Sequence, residues 1–131
     1  MTLSISTFQD WAANWVEHCF GIQSSRTARR KKRVMRFFEE ACELAQSFDM
    51  PKSHAELILH MVYERKPGDP KQEAGGVMCT LAALADDRAL NLERCANVEL
   101  KRIWRHAEAI REREKSKPQP DDEPWPKLQE T

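Results

Sequence analysis

An all-α fold, a bundle of four or five helices, is what this sequence predicts, and three observations carry that expectation. Apolar residues recur at three- and four-residue intervals along most of the chain, and alternating strand patterns are nearly absent. Prolines fall at the joints between those periodic segments rather than inside them. A length of 131 residues suits one domain with a sizeable core and is too short for two.

The elements follow in order. A first helix is expected from about Thr7 to Phe20, with Phe8, Trp11, Trp15 and Cys19 on one side and Gly21 as its stop. A second runs from near Thr27 to Phe48 and ends at Asp49-Met50-Pro51. Ser53 is a plausible N-cap for a shorter third helix, 54 to about 65, with Glu56 as its capping-box partner. "KPGDP", 66 to 70, reads as a loop. The fourth helix spans about Lys71 to Asp86, and the fifth starts between Asn91 and Ala96 and reaches about Lys115. From 116 to 131 the chain turns to "SKPQPDDEPWPKLQET", a flexible Pro-rich tail by composition, with Trp125 expected to be unanchored. The organisation expected is therefore a helical domain over 1–115 and a tail over 116–131.

Charge is balanced, 21 basic against 21 acidic residues, so no overall field draws the chain to nucleic acid or to an anionic membrane. No apolar run approaches the roughly 18 residues of a membrane span. The start, "MTLSISTFQDW", lacks the regions of a signal peptide, and a cytoplasmic protein is the expectation. The four cysteines are scattered without a CxxC pair and read as small buried apolar residues. The histidines show no zinc-ligand spacing.

The second helix holds the chemistry. At about 100° per residue, Val34, Phe37, Ala41, Leu44, Ala45 and Phe48 fall within roughly 80° and form an apolar face. Glu40 sits at its margin, Glu43 follows one turn on, Arg36 precedes by four residues, and Glu39 lies about 40° beyond Glu43. Like charges at this spacing repel, and more so once desolvated. Two accounts stay open: a solvated acidic margin partnered by Arg36 and the basic run before it, or a Mg²⁺ or Mn²⁺ site, since hard divalent ions take oxygen ligands. On the fourth helix Glu73 precedes Gly75 and Gly76. Each helical glycine costs about 1 kcal/mol against alanine, so two in succession suggest close approach of another backbone or a ligand. Contact with the second helix would bring Glu73 to Glu40 and Glu43.

E-E-x-x-E at Glu39, Glu40 and Glu43, followed by E-A-G-G at 73 to 76, resembles the MazG-like all-α nucleoside triphosphate pyrophosphohydrolases, the superfamily of the MazG and HisE types. "WVEHCFG", "RFFEEACELAQ", "EAGGVMCTLAALA" and "ELKRIWRHAEAIRE" extend the likeness over about residues 8 to 115, and it is nearest to the small phage and bacterial MazZ-like (d)GTP branch. One departure stands out: the family's second motif is E-x-x-D, and Gly76 occupies the aspartate position here.

The resemblance implies hydrolysis of a (d)NTP, with (d)GTP favoured, to the monophosphate and pyrophosphate. It implies two or three Mg²⁺ or Mn²⁺ ions held by Glu39, Glu40, Glu43 and Glu73. Glu39, or whichever glutamate is free of metal, would take the proton of the attacking water. Arg36, Lys71, Arg102 and Arg105 are candidate phosphate contacts, and Trp15 a candidate face for the base. Family members assemble, so a homodimer or homotetramer is expected, without a membrane and without direct nucleic-acid binding. The alternatives are a housecleaning pyrophosphatase for non-guanine or damaged dNTPs, and a nucleic-acid-binding helical module built on the basic run "SRTARRKKRVMR".

Overall fold

The structure, a computed structural model, describes residues 4–21 and 25–128. The described residues form six helices and no strand. They are α1 (Ile5–Phe20), α2 (Arg26–Ser47), α3 (Lys52–Tyr63), α4 (Pro70–Asp87), α5 (Leu92–Arg105) and α6 (Ala107–Glu114). No helix among them is long and apolar enough to cross a membrane. The chain divides into two compact units. One comprises Met1–Ser24 with Pro70–Pro118, the other Ser25–Asp69 with Gln119–Thr131.

In the first unit α1 packs on α5 and α6, which pack on each other. Ser4 caps α1 by accepting the Thr7 N–H at 3.2 Å. Gly21 ends it as expected, at φ +71°, where a side chain would be strained. The Trp15 indole N–H donates to the Ile103 carbonyl at 2.9 Å, and the Cys19 thiol to the Ala107 carbonyl at 3.3 Å. Trp104 receives the His18 ring face-on at 4.8 Å and the edge of Trp11 at 6.0 Å. Cys19, Ala85, Leu100 and Ala107 are the buried apolar residues of this unit.

The single fifth helix expected from the sequence is two. It breaks at His106, whose φ of −111° and ψ of 23° leave the helical well. A long helix kinks where a side chain competes for its carbonyl ladder. Here the Trp15 indole N–H donates into that ladder at the Ile103 carbonyl, three residues before the break. Asn91 caps α5 by accepting the Arg94 N–H at 2.9 Å. The loop before α4 ends one residue earlier than expected, because Pro70 serves as the helix's first residue, where its missing N–H costs nothing.

In the second unit Ser25 caps α2 through the Ala28 N–H. α3 starts after Pro51 with no side-chain cap, so Ser53 lies inside the helix and the predicted capping box does not form. The fixed backbone angle of Pro51 sets the turn into α3 in place of a serine cap. The α2 apolar face is covered only toward its end. Leu44, Ala45 and Phe48 are half-buried, whereas Val34 is 55% and Phe37 52% exposed. Within its own unit, no described residues close a core seam over Val34 and Phe37. Three of the four cysteines, Cys42, Cys79 and Cys95, are also exposed and not buried as expected.

The Pro-rich segment has irregular backbone and is tied to α2. The Lys31 ammonium donates to the Asp121 carboxylate at 2.6 Å and to the Glu123 carbonyl at 2.8 Å. It also sits 5.5 Å from the centre of the Trp125 ring, within cation–π range. Trp125 thus has an anchor, against expectation, and Lys31 and Lys32 of the basic run are buried.

Candidate functional site

The predicted site residues divide between the two units. Arg36, Glu39, Glu40 and Glu43 belong to α2 in the second unit; Trp15, Lys71, Glu73, Arg102 and Arg105 belong to the first.

On α2 the carboxylates occupy one turn of helix, midway along its length. The sequence makes this turn helical through a segment rich in good helix formers, Glu, Ala, Leu and Gln in "FFEEACELAQ", with neither Gly nor Pro. Glu39 is half-buried, and Arg36 one turn earlier donates to it at 3.5 Å. The Arg36 side chain is largely covered, so its head is held and does not sweep through solvent. Glu40 and Glu43 are exposed and three residues apart, a spacing that stacks two side chains on one helix face. Within this turn, therefore, a half-buried carboxylate beside Arg36 stands next to two solvent-exposed ones.

In the first unit Glu73 is exposed in the first turn of α4, where its charge complements the helix N-terminus, and Lys71 is exposed beside it in sequence. A Cβ placed on Gly75 or Gly76 would meet nothing within 4 Å. Among the described residues of its unit, therefore, α4 makes no close backbone approach at the double glycine. Arg102 pairs with Glu99 one turn before it, and Arg105 is exposed in the last turn of α5. Trp15 is occupied structurally, its N–H on Ile103 and its ring edge-on to Phe20 at 5.7 Å.

Among the described residues no three His, Cys, Asp or Glu side chains stand together in a group that could hold a metal ion. The donor chemistry of α2 nevertheless suits a hard divalent ion. It is all carboxylate oxygen, two of the three side chains are solvent-accessible, and such ions keep several waters and need only one or two protein carboxylates. Glu40 and Glu43 are the residues that fit this role.

Sequence reasoning did not find Lys31 as a tethered residue. Its partners lie about ninety positions away in a segment without periodicity, and the only available signal was the Asp-Asp-Glu cluster beside Trp125 facing a long basic run in the composition. Compared with models of protein families, with curated proteins and with solved structures, the chain matches none.

Proposed function

We propose that this protein is a metal-dependent nucleoside triphosphate pyrophosphohydrolase, cleaving a (d)NTP, with (d)GTP favoured, to (d)NMP and pyrophosphate. The observation that carries the reading is the α2 turn with Glu39 beside Arg36 and with Glu40 and Glu43 open to solvent. A triphosphate carries about four negative charges, and a carboxylate turn attracts it only with divalent cations between them. Glu40 and Glu43 would hold Mg²⁺ or Mn²⁺, and bound ions would supply the charge neutralisation that a departing pyrophosphate needs.

The remaining work falls to the chain's own groups. Glu39 is the candidate base: a carboxylate oxygen takes the proton of the water that attacks the α-phosphorus. Arg36 stands 3.5 Å from Glu39, a loose ion pair that biases the carboxylate toward one side of the helix. The exposure of Glu73 and of the double glycine is compatible with a ligand approaching the α4 backbone. The basic half of α2 supports the nucleic-acid reading poorly, because Lys31 is spent on Asp121 and Glu123 and Lys32 is buried.

The test is turnover of the eight common NTPs and dNTPs with Mg²⁺ and with Mn²⁺, products resolved by ion-exchange chromatography. Monophosphate plus pyrophosphate from dGTP or GTP, reduced at least a hundredfold in Glu40→Gln, is the expected result. Orthophosphate would reassign the bond cleaved. Absence of turnover from all eight would remove the enzyme reading.

A further inference from the structure

The first unit holds an open cavity of about 730 Å³ between α1, α4 and α5, within the size range of small-molecule sites. Phe8, Leu81 and Leu92 wall it and are half-buried, and Met78 on the same wall is 46% exposed. Sites of this kind set a few polar groups among apolar walls, and those groups fix which ligand enters and how it lies.

Four polar residues line this cavity, and one of them is already engaged: Ser4 caps α1. The side chains of Gln9, Glu93 and Asn97 make no hydrogen bond or ion pair with any described residue. Asn97 is the informative one, because it is half-buried and a covered amide without a partner costs free energy. Glu93 and Asn97 stand four residues apart on α5 and so share one face of that helix. Glu93 brings the only formal charge among the described lining residues.

These groups discriminate between occupants. A carboxylate and two amide carbonyls are acceptors, and an ammonium group offers three N–H donors to match them. An anion would be repelled by Glu93. A purely apolar occupant would leave the Glu93 carboxylate and the Asn97 amide without partners. Phe8 and Met78 favour a flat aromatic body, through ring–ring and sulfur–ring contacts.

We propose that the α1–α4–α5 cavity binds a small aromatic amine. Its ring lies against Phe8, Met78 and Leu81, its ammonium group donates to Glu93, and the side-chain carbonyls of Asn97 and Gln9 accept the remaining N–H groups. The site belongs to the first unit alone, whereas the α2 carboxylates belong to the other. It therefore does not depend on the hydrolase reading.

A titration of the full chain, carrying isotope-labelled methionine methyl groups, tests the proposal by NMR. The probes are tryptamine, its neutral analogue tryptophol and the anion indoleacetate, three indoles that differ in the charge of the side chain. Tryptamine should shift the Met78 methyl signal saturably, with a Kd below about 1 mM. Tryptophol should bind at least about tenfold more weakly, and indoleacetate more weakly again. Glu93→Gln alters an exposed position and should keep its helix content by circular dichroism. In that variant tryptamine should fall to the affinity of tryptophol, while tryptophol binding stays unchanged. Equal affinity for the three probes, or preference for indoleacetate, overturns the proposal. So does tryptamine binding that Glu93→Gln leaves intact, or a Met78 signal that does not move at millimolar tryptamine. A Met78 methyl shielded from a dissolved paramagnetic agent in the ligand-free chain would put protein over the cavity and overturn it equally.

Discussion

Lys31 shows how a single residue changes the reading of a segment. In the sequence it is one of seven basic residues between 25 and 36, and such a run ordinarily stands in solvent. In the structure it is buried under Asp121, the Glu123 carbonyl and the Trp125 ring. The Lys31 hydrogen bond is the main cause holding the Asp121 carboxyl below the ordinary aspartate range. The Glu123 N–H and the Lys31 charge add to it, and slight desolvation opposes. A depressed folded-state value means that the tether contributes fully above about pH 4 and is lost as pH falls through the lowered value. The expected outcome is an Asp121 titration, followed by carboxyl carbon NMR, that returns to the ordinary range in Lys31→Met. Trp125 emission should shift toward that of a solvated indole in the same variant. An unchanged titration would mean that the ion pair does not persist in solution. None of this was legible beforehand, because a contact between residues ninety apart leaves no local pattern in either segment.

At the scale of elements, the legible features were those with a local cause. Gly21 ends α1 because a left-handed backbone is required there, and Asn91 begins α5 because its side chain reaches the N–H three residues on. Asn91→Ala should therefore destabilise the first unit by about 1 kcal/mol, read as a lowered Tm in a thermal melt; no change would show that α5 is held by its packing alone. Features with a distant cause were not legible. The α5–α6 break lies where Trp15, some ninety residues earlier, engages the Ile103 carbonyl, and the apolar periodicity from Val98 to Ile110 carries straight through it. The third helix failed in a different way: Ser53 and Glu56 have the right spacing for a capping box, yet Pro51 starts the helix two residues earlier. The α2 apolar face was read correctly as a stripe, but periodicity reports which residues share a face and says nothing about whether anything covers it. Val34 and Phe37 remain half exposed.

At the scale of the molecule, the carboxylate turn was legible as a group because helical spacing alone puts Glu39, Glu40 and Glu43 together. The convergence of Glu73 with them rested on the family pattern and on the double glycine. The two groups lie in different units of the chain, and a Cβ on Gly75 or Gly76 would meet no described residue of its own unit within 4 Å. This makes Glu73 the informative residue for the proposed reaction. If the first unit shares in the chemistry, Glu73→Gln should lower kcat/KM for the preferred dNTP at least as far as Glu43→Gln does, and both variants should need more Mn²⁺ to reach half-maximal rate, because each would lose one anionic oxygen donor. If α2 alone carries the site, Glu43→Gln loses activity while Glu73→Gln retains it, and Glu73 is then a first-turn acid whose contribution is a few tenths of a kcal/mol to α4. Titrating Mn²⁺ against initial rate for the two variants side by side separates these outcomes. Only a ligand role moves the metal dependence; a helix-terminal role moves the melting temperature instead.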